Sequence, residues 1–406
     1  MKILALGRDD ISHPRPGYPD AVLLSLSALS ARGHEVIYVP HGRPGAKATV
    51  NAGIQVFLPQ AGSKASPRPT LNPMLLRIFR ASDAYELLKM LRGHDHDLVA
   101  NLRRNWQPDL VLHEGPDNGR EPRRLRALGI PLVERFHEVG THSYIENLGT
   151  WEEYTGFKLG SLLGSIARKL VGFTVKLLQR RLAASADQVI AVSERDRRVL
   201  KTWGVKARTV LLPYKVPPLT AQEGFGRQPP DVLIPGSSYF VNQLEVRFAI
   251  KLASELPRFR FAISGVREMR EGQTPRPLSN LEIGFLDPTT YSNYVRGARL
   301  IVIPLLLAIG LQTKVSEALA YGKPVLTTSL ALQEFQGLRP WKDVAVEDDP
   351  RRFAESIEYL LEDERVLKGL SSGAHAYYSS SPINPEVHGE VLGDALERCV
   401  MRCGEP

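Results

Sequence analysis

The sequence predicts an α/β protein made of two Rossmann-like parallel-sheet domains that face one another across a central cleft. Three observations carry this expectation. The chain has 406 residues, and an ordinary domain takes about 100–200. Short apolar runs alternate with segments of helical period in both halves, which is the rhythm of parallel strands joined by crossover helices. Between Leu212 and Pro230 that rhythm stops, in a stretch holding Pro213, Pro217, Pro218, Pro229 and Pro230. This is the composition of a linker. The expected division is residues 1–212 as an N-terminal domain, 213–230 as a linker, 231–380 as a C-terminal domain and 381–406 as a helical tail.

In the N-terminal half, Lys2 to Gly7 reads as a strand and Asp20 to Arg32 as a helix. Gly33 then stands where a helix C-terminus favours glycine. Glu35 to Pro40 follows as the second strand, with further strands at Ile54 to Leu58, Leu98 to Leu102, Leu110 to Glu114, Pro131 to Phe136 and Gln188 to Val192. Ser193 is placed to cap a helix running to about Trp203. The second half starts with a strand at Asp231 to Pro235 and a helix over Val241 to Glu255. Strands are expected at Phe259 to Gly265, Leu281 to Gly284, Leu300 to Leu305 and Pro324 to Thr328, and helices at Lys314 to Tyr321 and Arg351 to Leu361. A last helix, from about Pro385 to Cys399, fits against either domain.

Composition narrows the function. Hydrophobic residues make up 43% and charged residues 24% of the chain, a globular balance rather than a disordered one. The only cysteines, Cys399 and Cys403, provide neither a disulfide framework nor a four-ligand zinc site. The opening apolar run, Ile3 to Leu6, is too short for a signal peptide. No stretch reaches the roughly 20 uninterrupted apolar residues of a spanning helix: Leu159 to Leu178 is broken by Arg168, Lys169 and Lys176. The expected location is cytoplasmic. A formal charge of +8 is compatible with anionic partners. Aromatic residues are only 7%, with no aromatic-basic platform for stacking bases, so nucleic acid is not an expected partner. The basic amphipathic segment Lys158 to Arg181 reads either as a domain helix or as a peripheral contact with anionic membrane.

The segment most informative about chemistry is Ala298 to Leu330. A strand is followed by a loop ending at Gly310, then by a helix from about Gln312. The helix N-terminus thus lies at the carboxyl edge of a parallel sheet, where free amides and the helix dipole favour phosphate. Lys314 adds a positive charge, and Glu317, three residues on, lies on the same face. A carboxylate there can accept hydrogen bonds from ribose hydroxyls, although Lys314 and Glu317 are also compatible with an ordinary surface pair. His94-Asp95-His96-Asp97 contains a D-x-D, but it precedes an expected strand and so belongs at the edge away from the cleft. No metal site is expected. Arg103-Arg104, at the far end of that strand, reads as a surface pair or as a contact for an anionic acceptor.

IVIPLLLAIGLQTKVSEALAYGKPVLTTSLA resembles the C-terminal signature of the group 1 (family 4-like, retaining) glycosyltransferases of the GT-B architecture. ARGHEVIYV, ADQVIAVSERDRRVL and DVLIPGSSYFVNQLEVRFAIKLASELP resemble further segments of that family in the same order. The resemblance implies transfer of a sugar, hexosyl or N-acetylhexosaminyl, from a nucleotide diphosphate donor held by the C-terminal domain to an acceptor held by the N-terminal one. It implies retention of configuration and no cofactor beyond the donor itself. Glu317 becomes the ribose-binding carboxylate, and Gly310, Leu311 and Gln312 the backbone around the diphosphate, with Lys314 nearby. Gly236 and Ser237 would face the same diphosphate, and Gly17 would line the cleft on the acceptor side. His137, after a strand, would face the donor sugar as the catalytic residue, with Glu138 ranked behind it as an acceptor contact. Three positions depart from the family pattern: Tyr18 beside Gly17, Ile309 in place of a donor-side glutamate, and Asn242 in place of a basic residue. Two alternatives therefore stand beside the transferase: a nucleotide-sugar epimerase of the same fold, and a catalytically lapsed binding protein.

Overall fold

A computed structural model of the chain describes residues 1–7, 11, 18–40, 44–50, 53–59, 96–115, 125–139, 173, 176–217, 228–236, 242–265, 278–305 and 311–404. Its first sheet is built from β1 (Lys2–Gly7), β2 (Glu35–Pro40), β3 (Pro44–Val50), β4 (Ile54–Pro59), β5 (Leu110–Glu114), β6 (Leu132–Phe136), β7 (Gln188–Ala191) and β8 (Ala207–Thr209). Their order across the sheet is β3-β4-β2-β1-β5-β6-β7-β8. All pairings are parallel except that of β3 with β4. The helices described end to end on this side are α1 (Tyr18–Ala31), α2 (His96–Asn105) and α3 (Glu194–Thr202), and residues 176–185 are helical as well.

Side chains alternate across a strand, and β1 shows both faces buried. Ile3 and Ala5 enter the core shared with α1, whereas Leu4 and Leu6 enter the core shared with α2. Fully parallel sheets are covered in this way, which is why their strands read as unbroken apolar runs. Ser193 caps α3 as expected: its side chain accepts from the Asp196 amide at 3.0 Å.

The second sheet contains β9 (Val232–Pro235), β10 (Phe261–Ser264), β11 (Leu281–Gly284), β12 (Leu300–Ile303), β13 (Val325–Thr327) and β14 (Ala345–Val346). The order is β11-β10-β9-β12-β13-β14, with every pairing parallel. The helices are α4 (Asn242–Glu255), α5 (Pro288–Gly297), α6 (Thr313–Ala320), α7 (Ser329–Glu334), α8 (Phe353–Glu362) and α9 (Glu364–Ser380). The chain winds outward from β9 in both directions, so the sheet reverses between β9 and β12. Ligands of open α/β sheets collect at the carboxyl end of such a switch point.

The last helix, α10 (Pro385–Gly404), leaves the second sheet and packs on α1. Leu392, Ala395, Leu396 and Cys399 join the core of the first domain. Gly389 permits the crossing, since a Cβ there would lie 3.1 Å from the Ala28 carbonyl oxygen. The chain therefore passes between the domains twice, and the two passes touch: the Tyr214 amide donates to the Ile383 carbonyl at 2.8 Å.

One expected element changes type. Residues 98–102 are helical, within α2, and not a strand. Leu98, Val99 and Leu102 fall on one face at helical spacing and pack on the same core as β1 and β2. The argument that put His94-Asp95-His96-Asp97 before a strand therefore falls. His94 and Asp95 lie outside the described residues. Arg103 and Arg104 are exposed in the last turn of α2, where positive charge complements the helix dipole. The basic segment Lys158 to Arg181 lies mostly outside the described residues. Among those described, no helix is long and apolar enough to cross a membrane.

Candidate active site

The carboxyl edge of the first sheet carries a group of charges that the sequence reading saw only in part. β5 and β6 run parallel, with His113 opposite Glu134 and Glu114 opposite Arg135. The period of two then puts Glu114, Arg135 and His137 on one side of the sheet and His113 with Glu134 on the other. Glu114 joins its group: Oε1 accepts from Arg135 Nη1 at 3.1 Å, and Oε2 pairs with His137 Nε2 at 2.6 Å. On the opposite side, His113 Nδ1 pairs with Glu134 Oε2 at 2.7 Å.

Glu114 and Arg135 are wholly buried, whereas the His137 side chain keeps 10% of its exposure. Burial alone would push the Glu114 carboxyl up, but the Arg135 guanidinium and the His137 hydrogen bond together outweigh it and hold the carboxyl at about 2. Glu114 is therefore an anion at neutral pH. It fixes His137 by accepting the Nε2 proton, so a neutral ring carries its lone pair on Nδ1. Arg135 also donates to Ser25 Oγ at 3.2 Å and approaches His388 Nε2 of α10 at 3.5 Å. Burial and the Arg135 charge push His388 down to about 3, and it stays neutral, with Nδ1 on the Leu211 carbonyl at 2.9 Å. Glu138, after His137, has its carbonyl held by Gln179 Nε2 at 3.0 Å.

In the second domain, α6 rises from the loop after β12. Its N-cap residue Gln312 supplies no side-chain cap. The Gln312 amide instead donates to Glu334 Oε2, at the end of α7, at 2.8 Å. The Leu311 side chain is buried in a core that draws on both halves, from Val192 and Leu211 to Val315 and Leu319. Glu317 lies one turn into α6, and each of its oxygens accepts a tyrosine hydroxyl: Tyr214 at 2.5 Å on Oε1 and Tyr291 at 2.6 Å on Oε2. Burial pushes the Glu317 carboxyl up, opposed by these two bonds and by the Lys314 charge. The coupling of Lys314 and Glu317 along one helix face is thus present, but the two tyrosines are its nearest partners. Each carboxylate oxygen has two lone pairs, which leaves acceptor capacity beside each tyrosine.

Gly236 ends the loop side of β9. A Cβ there would lie 2.4 Å from the Ser264 carbonyl oxygen, so the neighbouring strand β10 requires glycine whatever binds beyond it. Gly17, Ser237, Ile309 and Gly310 lie outside the described residues, and of Asn242 only its place at the start of α4 is described. Among the described residues, no three His, Cys, Asp or Glu side chains gather to hold a metal ion.

Comparisons with known proteins bear on the family and the fold. A family model described as Glycosyltransferase Family 4 matches residues 22–216, and one described as Glycosyl transferases group 1 matches residues 229–363. The chain belongs to the group 1 glycosyltransferases. No curated protein matches the sequence. Among solved structures, the fold of this group 1 glycosyltransferase is similar to sucrose-phosphate synthase from Thermosynechococcus elongatus, at 14% identity and a TM-score of 0.67, over 99% of this chain and 100% of that one. It is also similar to HepE of Anabaena, solved in complex with UDP, at 13% identity and a TM-score of 0.60, over 98% and 100% of the two chains. A third likeness is to the α,α-trehalose 6-phosphate synthase of Burkholderia multivorans, at 11% identity and a TM-score of 0.61, over 99% and 97%. At such identities the likeness is one of fold, and the fold is GT-B: two parallel-sheet Rossmann-like domains.

Missing from the sequence reading were Glu114, Arg135, Tyr214, Tyr291 and Glu334. The signal for the first two was present. LVLHE and LVERF are buried strands that contain charges, and buried charges must be paired.

Proposed function

We propose that this glycosyltransferase moves a sugar from a nucleotide diphosphate donor, held by the second domain around α6, to an acceptor held by the first domain near His137. The observation that carries this reading is the pairing of two edges. Glu317 stands one turn into a helix at the switch-point end of one sheet, and His137 is fixed by a buried glutamate at the carboxyl edge of the other. Glu317 receives the ribose hydroxyls on the lone pairs its tyrosines leave. Lys314 and the dipole of α6 stabilise the departing diphosphate, so the step requires no metal. His137, oriented by Glu114, faces the donor sugar. The family resemblance implies retention, and front-face attack, with the leaving phosphate taking the acceptor proton, is the route that asks least of the protein. The UDP bound to HepE makes UDP-sugars the first donors to try.

Thermal unfolding in the presence of UDP-, GDP-, ADP- and TDP-sugars tests the donor site. A ligand that binds only the folded chain at 100 times its Kd stabilises it by about 2.7 kcal/mol. The expected result is a rise with one nucleotide that is lost in Glu317→Ala. No rise with any of them at millimolar concentration would sink the reading. Incubation with the responding donor and no acceptor then separates transfer from epimerisation, because an isomerised donor sugar would exclude the transferase.

A further inference from the structure

Two carboxyls are sealed where the domains meet. Asp196 lies on α3 of the first domain and Glu334 ends α7 of the second, at 1% and 0% exposure. The two helices pack together, and Arg198 Nη2 of α3 donates to the Gln333 carbonyl of α7 at 3.0 Å. Each carboxyl grips a different wall of the candidate site. Asp196 accepts from the Val139 amide, two residues beyond His137. Glu334 accepts from the Gln312 amide at the start of α6. One oxygen of each, Asp196 Oδ2 and Glu334 Oε1, is buried with no hydrogen-bond partner.

Two buried carboxyls whose charges act on each other cannot both ionise cheaply, because desolvation and like-charge repulsion oppose it together. A single proton on the pair removes the repulsion. We propose that Asp196 and Glu334 form a proton-dependent latch between the domains, which holds the His137 end of β6 at a fixed spacing from the N-terminus of α6 and releases it when both carboxyls ionise. The latch rests on the packing of α3 against α7 and not on the sugar-transfer reading.

The surroundings fit a latch that opens on the alkaline side of neutrality. Burial pushes Asp196 up to about 7, against the opposing pull of the Ser193 hydroxyl, the Arg195 charge and the Val139 amide. Glu334 is raised well above the usual carboxylate range by burial, lowered by the Gln312 amide, raised again by Asp196 and lowered by Arg195. Among the described residues, Arg195 of α3 is the cation acting on both. Glu194, on the same helix, is engaged by Arg197 and Thr209. The sign follows from the raised acids: the latched form keeps one proton after Asp196 ionises at about 7 and gives it up only when Glu334, itself well above the usual carboxylate range, ionises too, so the latch is intact at neutral pH and weakens on the alkaline side.

Hydrogen exchange of the full chain tests the latch at the two amides it holds. Protection factors, corrected for the intrinsic pH dependence of exchange, are read for peptides covering Val139 and Gln312 between pH 6 and 9, with small-angle scattering in parallel. In the unmodified chain both factors should fall together, by up to about tenfold per pH unit above the titration point, with a reversible rise in the radius of gyration. Glu334→Gln should hold both constant, because an amide keeps the acceptor for Gln312 and cannot ionise. Asp196→Asn is expected to do the same and serves if the first variant does not fold. Constant protection in the unmodified chain from pH 6 to 9, or an equal fall in a folded variant, would overturn the proposal.

Discussion

Replacing Glu114 by Gln keeps the shape of the first domain and removes one buried charge. Its carboxyl is held at about 2. Against an ordinary value of 4.5, that corresponds to about 3 kcal/mol of stability at neutral pH, at 1.36 kcal/mol for each pH unit. Removing one partner of a buried ion pair costs a similar amount, about 3–5 kcal/mol, because the other charge is stranded. Here the stranded charge is Arg135, whose remaining partners are Ser25 and the neutral His388. Calorimetric unfolding should therefore show Glu114→Gln less stable by about 3 kcal/mol at pH 7. The sign of the pH effect is equally definite. A depressed carboxyl stabilises above its unfolded value and loses that contribution as pH falls from about 4.5 towards 2, so the deficit of the variant should shrink over that range. Adding Arg135→Met should recover about 2 kcal/mol or more, since an apolar pair in place of a buried ion pair is often neutral. A loss below about 1 kcal/mol at pH 7, or a double variant no better than the single one, would refute the assignment of Glu114 as the counter-charge.

Tyr291→Phe removes a hydroxyl from Glu317 Oε2 and should destabilise the second domain by about 1.5–3 kcal/mol, the range for a hydrogen bond to a charged group, measured by thermal unfolding; an unchanged midpoint would mean that the carboxyl is held otherwise. Gly236→Ala drives a Cβ against the Ser264 carbonyl oxygen and should cost about 1–3 kcal/mol without any ligand present, which calorimetry of the unliganded chain would detect. Leu396→Ala in α10 empties a fully buried site in the core of the first domain, at about 2–5 kcal/mol. Urea unfolding should show that loss in the transition of the first domain.

The two α/β halves were legible because parallel strands buried on both faces leave continuous apolar runs such as Lys2 to Gly7 and Leu300 to Ile303. The α3 cap at Ser193 and the place of Glu317 on α6 were legible for local reasons, since capping and helix phase need only a few neighbouring residues. Residues 98–102 misled because a short apolar run fits a strand or a buried helix equally well, and only its packing on β1 and β2 decides. The strand β3 escaped notice because the alternation in PGAKATV is carried mostly by small alanines behind a proline and a glycine, and its antiparallel partner β4 defines it. The roles of Glu114 and Glu334 depend on contacts with residues distant in sequence. Glu114 needs the register of β5 against β6, and Glu334 needs the second domain folded back on α6. The tyrosines of Glu317 come from the linker and from α5, 103 and 26 residues away.

The return of α10 to α1 bears on how the protein is made. Measured by contacts, the second domain is an insertion into the first, whose closing helix α10 is synthesised only after the second domain. Until α10 arrives, the face of α1 that Leu392 and Leu396 cover has no lid, and Arg135 has no His388 beside it. Translation proceeds at about 5–20 residues per second, so about ten to forty seconds separate β8 from the completion of α10. For that interval the first domain is complete in its sheet and incomplete in its core. A nascent chain stalled after β8 should therefore be open to proteases and chaperones in a way the finished protein is not.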